Sequence, residues 1–94
     1  MNKINFLDCT LRDGGYYNSW DFEYKAVNEY LKAVKQAGVH IAEIGFRSLK
    51  NDEGFKGASA FTTDDYIQTL NIPSGLSLAV MINASELLSG FKID

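Results

Sequence analysis

His40-Ile41-Ala42-Glu43-Ile44-Gly45-Phe46 is the stretch whose reading decides the fold. Apolar residues fill both alternation classes, so both faces of the strand it forms must be covered. That is the pattern of a parallel strand lying between helices. The strand is expected over residues 39–45. Strict alternation puts Ile41, Glu43 and Gly45 on one face and Ala42, Ile44 and Phe46 on the other. Glu43 interrupts the apolar run, and a carboxylate in such a place is costly unless paired with a cation or hydrogen-bonded.

On the N-terminal side, Phe22, Val27, Tyr30, Leu31 and Val34 recur at helical spacing. Lys25, Asn28, Glu29, Lys32 and Lys35 take the wet face. Asp21 is the expected N-cap and Gly38 the expected stop. Before this helix, the paired glycines in Arg12-Asp13-Gly14-Gly15-Tyr16-Tyr17-Asn18-Ser19-Trp20 predict a loop. Ile4 to Asp8 predicts a short strand, apolar and buried on both faces.

On the C-terminal side, residues 46–63 read as an irregular connection. Asp64 to Leu70 reads as a short helix capped by Thr62 or Thr63. Pro73-Ser74-Gly75 turns the chain into a third strand, Ser77 to Ile82. Asn83-Ala84-Ser85-Glu86 then opens a third helix, with Ser85 or Asn83 as its cap. Strands alternating with helices imply a parallel sheet, here in the order 1-2-3, with right-handed crossovers. The fold class is therefore α/β. Three parallel strands make either a small three-stranded sandwich or the first three βα units of a (β/α)8 barrel, whose closed form needs about 250 residues.

Composition narrows the classes. The chain has 94 residues, 46% hydrophobic and 22% charged, a balance that excludes a disordered tail, a collagen-like repeat and a coiled coil. Leu78-Ala79-Val80-Met81-Ile82 is far too short to cross a bilayer, so no membrane is expected. No signal peptide is legible at the N-terminus, which points to a cytoplasmic chain. The single cysteine, Cys9, allows no internal disulfide and reads as a small apolar residue. A net charge of −3 with scattered basic residues argues against nucleic acid.

In a parallel α/β arrangement, reactive groups gather where strands end. Asp8, Thr10, Arg12 and Asp13 follow the first strand, Glu43, Gly45 and Arg47 close the second, and Asn83 and Ser85 follow the third. Arg12 is the obvious partner for Glu43. The plain alternative is a structural ion pair, or an edge carboxylate in water. Asp13 offers an oxygen to a hard divalent cation. Arg12 offers a fixed, always-charged fork for a carboxylate or a developing enolate. The plain alternative for that pair is a polar turn before two glycines. His40 stands roughly 10 Å from this edge, at about 3.3 Å per residue, and on the other face from Glu43, so it is not expected to ligate metal. Tyr16, Tyr17 and Trp20 read as loop-packing aromatics rather than a base-stacking surface. A phosphate-binding use of Gly14-Gly15 is disfavoured, because the glycines are not expected to open onto a helix and no Lys-Ser or Lys-Thr follows.

Asp8-Cys9-Thr10-Leu11-Arg12-Asp13-Gly14-Gly15 resembles the first-strand signature of the DRE-TIM metallolyases. That family includes hydroxymethylglutaryl-CoA lyase, isopropylmalate synthase and 4-hydroxy-2-oxovalerate aldolase. Glu43-Ile44-Gly45-Phe46 is similar to its second-strand segment, and Ala79-Val80-Met81-Ile82-Asn83 to its aldolase branch. The synthase branch continues the first motif with Glu-Gln, where this chain has Gly15-Tyr16. The resemblance implies that residues 1–94 are the N-terminal segment of an aldolase-type TIM barrel, truncated before the His-x-His pair that supplies the remaining metal ligands. Asp13 would be the first-strand metal ligand, Arg12 the group on the enolate oxygen, and Glu43 the residue holding Arg12. Tyr16 occupies the place of the catalytic histidine of the pyruvate-forming aldolases. The expected parent is a metal-dependent aldolase or lyase, using Mn2+, Mg2+ or Zn2+ to cleave or form a carbon–carbon bond in a 2-oxo acid. The segment alone is expected to hold no metal and to be inactive. The alternative is a non-catalytic α/β fragment that self-associates through open sheet edges.

Overall fold

The computed structural model describes residues 4–48 and 56–83. The helix expected after Asn83, with its candidate cap Ser85, lies outside the described residues.

Three strands form one parallel sheet in the order β1-β2-β3: β1 Leu7–Asp8, β2 Ile41–Phe46 and β3 Ser77–Met81. Leu7 pairs with Ile41 and Asp8 with Ala42; on the other side Ile41 pairs with Ser77 and Glu43 with Ala79. The α/β class, the parallel pairing and the strand order are those expected. β2 is the middle strand, and Ala42, Glu43, Ile44 and Gly45 are all buried. Its near-continuous apolar run reflects cover on both faces.

Helix α2, Tyr24–Gln36, turns its apolar stripe inward. Val27 and Leu31 are fully buried and join Leu11, Ala42, Ile44, Leu70 and Leu76 in the core. Phe22, Tyr30 and Val34 pack against that cluster. The opposite face is wet, with an exposed Lys25–Glu29 pair one turn apart; an exposed pair of this kind adds little stability. Helix α4, Asp64–Thr69, is capped by Thr63, whose hydroxyl accepts from the Tyr66 N–H at 3.1 Å.

Four expectations are corrected. First, the strand expected over Ile4 to Asp8 is only Leu7–Asp8, and the segment is not buried on both faces: Ile4, Phe6 and Leu7 are 74, 60 and 51% exposed. A strand's faces are buried only where other elements cover them, and apolar composition does not say whether such cover is present. Phe6 is fastened instead by its carbonyl, which accepts from the His40 and Ile41 N–H groups, and by its own N–H, which donates to His40 Nδ1 at 2.9 Å. The two rings stack with centroids 6.0 Å apart.

Second, the segment after β1 is not a loop. It forms helix α1, Thr10–Gly14, and a 3-10 turn, Gly15–Tyr17. Gly14 and Gly15 both hold right-handed helical angles. Gly15 is needed for room, because a Cβ there would overlap the Trp20 indole.

Third, Asp21 does not cap α2. Glu23 occupies the N-cap position without a side-chain cap bond. Asp21 is held in the preceding turn, its N–H donating to the Asn18 carbonyl and its carbonyl accepting from Asn18 Nδ2. Fourth, the connection after β2 contains a short helix, α3, Ala58–Phe61. The backbone of Ser59 lies so close to Gly45 that any side chain at that position would overlap it.

Candidate functional site

The site grows from the C-terminal edge of the sheet. β1 ends at Asp8, and α1 starts two residues later, so Arg12 emerges directly above the strand end. Glu43 lies in β2, only 8% exposed. Arg12 Nε donates to Glu43 Oε1, and the two side chains form an ion pair, 24 and 11% exposed. The Glu43 hydrogen bond is the main reason the Arg12 guanidinium is held above its ordinary pKa; partial burial opposes it, and the charge of Glu43 adds to it. A cation is thereby fixed in a semi-enclosed place with one N–H committed to Glu43. The buried carboxylate has the partner its environment requires.

A register shift falls between Glu43 and Gly45, so β2 carries one residue more than β3 there. Strict alternation therefore does not run through to Phe46. The Phe46 ring meets Trp20 edge-on at 5.1 Å and Tyr16 at 6.2 Å, and Tyr16 meets Trp20 at 4.8 Å. The three aromatics thus gather around the chain segment that carries Arg12. Trp20 Nε1 donates to the Arg12 carbonyl at 2.9 Å.

Asp8 accepts from the Thr10 N–H at 3.0 Å and from the Tyr30 hydroxyl. Burial pushes the Asp8 carboxyl up, but the hydrogen bonds from Tyr30 and Thr10 outweigh it, leaving the pKa below the usual value. Tyr30 moves the other way: burial and then the bond to Asp8 push its hydroxyl well above the ordinary tyrosine value. This phenol is a fixed donor at neutral pH.

The other named residues are more scattered. Asp13 is exposed on α1. Tyr16 is 64% exposed, with its ring contacts to Trp20 and Phe46. Arg47 turns away to the connection after β2, donating to the Thr62 carbonyl at 2.8 and 3.1 Å and pairing with Asp64 at 2.7 Å. Thr62, fully buried, in turn donates to the Phe46 carbonyl at 2.8 Å. Among the described residues, no group of three or more His, Cys, Asp or Glu side chains comes together to hold a metal ion. The described residues by themselves do not fit a metal centre, since one exposed carboxylate is not a coordination sphere. An open groove of about 790 Å³ lies elsewhere, between α2 and residues 71–73, and none of the groups above lines it.

No family model matches the chain, and no curated protein matches it. A solved structure does. The chain is similar to the N-terminal domain of a putative aldolase from Bacteroides vulgatus, with 36% identity and a TM-score of 0.78. The match covers 87% of this chain and 27% of that one, so the chain spans about a quarter of its neighbour's length. The likeness supports an α/β unit like that neighbour's N-terminal domain. That neighbour's description names neither a metal nor a substrate.

Sequence reasoning paired Arg12 with Glu43 but missed the bond from Trp20 to the Arg12 carbonyl and the bond from Tyr30 to Asp8. A tyrosine on an otherwise apolar helix stripe signals a hydroxyl that needs a partner, which could have pointed to Tyr30. Trp20 carried no such signal, because its placement depends on backbone angles that its residue type disfavours. Among the described residues, no helix is long and apolar enough to cross a membrane.

Proposed function

We propose that this chain is the N-terminal part of an aldolase-type protein acting on 2-oxo acids, and that Arg12 binds the substrate carboxylate or the enolate oxygen. The observation that carries this reading is the Arg12–Glu43 pair, set at the end of parallel strands and only partly open to water. Glu43 takes the Nε–H, so among the described residues the terminal Nη groups can face an anion as a planar fork. A guanidinium whose direction is fixed beforehand stabilises developing negative charge without reorganising at the moment of reaction. The likeness to an aldolase N-terminal domain supports the same reaction class.

The finer parts are proposals on the same footing. A (β/α)8 barrel of the DRE-TIM type would begin with parallel units in the order seen here. Asp13 would then give a single oxygen to a Mn2+, Mg2+ or Zn2+ ion completed by residues beyond this chain. Tyr16 would stand at the mouth of the site, where proton transfer is needed.

The test is pyruvate titration into the 15N-labelled chain, followed by NMR. Pyruvate should perturb resonances around Arg12 with weak affinity, and Arg12→Ala should abolish the response while the spectrum stays folded. Binding that survives Arg12→Ala would refute the assignment.

A second reading, self-association, is favoured by one observation. Ile4, Phe6 and Leu7 on one sheet edge and Met81 on the other are 74, 60, 51 and 40% exposed. Open apolar edges pair with further strands. Sedimentation showing a dimer or larger species supports it; a monomer at all concentrations removes it.

A further inference from the structure

The turn that delivers Trp20 is built at a cost. Ser19 and Trp20 both lie in the left-handed region, with φ of 57° and 58°. Non-glycine residues avoid this region, bulky ones most of all, and persist there only when their surroundings over-determine them. The surroundings here do so from two directions. The Trp20 N–H donates to the Gly15 carbonyl at 3.0 Å. The carbonyls of Ser19 and Trp20 accept from the N–H groups of Gly57 at 2.8 Å and Ser59 at 3.2 Å, about forty residues away in the chain. Two glycines make the space: a Cβ at Gly57 would overlap the backbone of Trp20 and Asp21, and one at Gly15 would overlap the indole.

What this clamp achieves is the placement of one N–H. The indole rests against Gly15, Tyr16 and Phe46, and its Nε1–H meets the Arg12 carbonyl. Helix α1 is five residues long and has no side-chain cap. A single turn is not stable by itself in water, so its rotation, and with it the direction of Arg12, depends on contacts from outside. Leu11 supplies one contact in the core and Glu43 another at the guanidinium. We infer that Trp20 supplies the third: it is a positioning residue that locks α1 through the Arg12 carbonyl, and the strained Ser19–Trp20 turn, clamped by Gly57 and Ser59, exists to hold it there. The inference deepens the reading above and rests on it only for the purpose Arg12 serves.

The chain has a single tryptophan and two arginines, Arg12 and Arg47. The indole N–H and each arginine Nε–H can therefore be followed separately by 1H–15N NMR. The Val39 N–H, which donates to the Val34 carbonyl at 3.0 Å beside the N-terminal end of β2, is the internal control; Arg47 is not, because its acceptor Thr62 bonds to the Ser59 carbonyl and so belongs to the clamp. Trp20→Phe keeps a ring and deletes the donor. Exchange of the Arg12 Nε–H should accelerate about fivefold, the factor that one neutral hydrogen bond represents, with the Val39 N–H unchanged. Gly57→Ala, which forces the clamp without touching the indole, should give the same selective loss. Unchanged exchange at Arg12 would overturn the inference. Equal acceleration at the Arg12 Nε–H and the Val39 N–H would also overturn it, by assigning Trp20 to general packing.

Should the variants fail to fold, the wild-type chain decides. One opening event should expose the indole N–H and the Arg12 Nε–H together, so their protection factors should agree; clearly different values overturn the inference. Pyruvate affinity, measured in parallel, should weaken by a similar factor in Trp20→Phe. If pyruvate binding proves independent of Arg12, the proposed function falls, while the exchange result still judges the brace, because it involves no ligand.

Discussion

Tyr30→Phe isolates one hydrogen bond with a pH signature. The Tyr30 hydroxyl donates from α2 to Asp8, the last residue of a two-residue strand. That strand end is the point from which α1 and Arg12 continue, so the bond ties the helix layer to the foot of the site. The substitution removes an oxygen and keeps the ring, so no large cavity forms. A hydrogen bond to an ionised acceptor is worth about 1.5–3 kcal/mol, and partial exposure of both groups argues for the lower end, about 1.5 kcal/mol. With a urea m-value of about 1 kcal/mol/M for a small domain, the midpoint should fall by about 1.5 M at pH 7. The Asp8 pKa is lowered in the folded chain. Its ionised form therefore adds stability above the unfolded value of about 3.9, and this is lost as pH falls through the lower folded value. The wild-type advantage should be smaller at pH 2.5, below the unfolded value, than at pH 7. Urea titrations of both proteins at the two pH values, read by the single tryptophan, measure this. An equal loss at both pH values, or none at pH 7, would refute the assignment of an ionised Asp8 held by Tyr30.

Gly45→Ala places a methyl group into the Ser59 backbone rather than a movable side chain; it should cost about 3 kcal/mol and lower Tm by more than about 10 °C in a thermal melt. Thr63→Ala removes the acceptor for the Tyr66 N–H and should cost about 1 kcal/mol by denaturant titration, with no effect on the Arg12 resonances. Isothermal titration of Mn2+ into the chain should show binding no tighter than about 1 mM, because Asp13 is an isolated carboxylate; micromolar binding with cleavage of a 4-hydroxy-2-oxo acid would overturn the proposal that the remaining ligands lie beyond this chain.

The alternation of apolar runs with helical stripes was enough to place three parallel strands, to put β2 in the middle and to choose the buried residues of α2. These properties follow from local periodicity and from burial, which each segment carries in its own composition. The Arg12–Glu43 pair was legible for a related reason: a charge inside an apolar strand demands a partner, and one cation stood at the neighbouring strand end. Other features depended on contacts between distant segments. β1 proved exposed because cover over a strand's faces comes from other elements, which its own composition does not specify. Paired glycines signalled a loop, yet Gly15 sits in a helical turn because the Trp20 ring, five residues later, needs its missing side chain. The left-handed angles of Ser19 and Trp20 contradict their residue types and are held by bonds from Gly57 and Ser59. The residue types at the sheet edge were therefore set locally, whereas the direction of the guanidinium was decided by packing, since a five-residue helix has too few internal bonds to fix its own rotation.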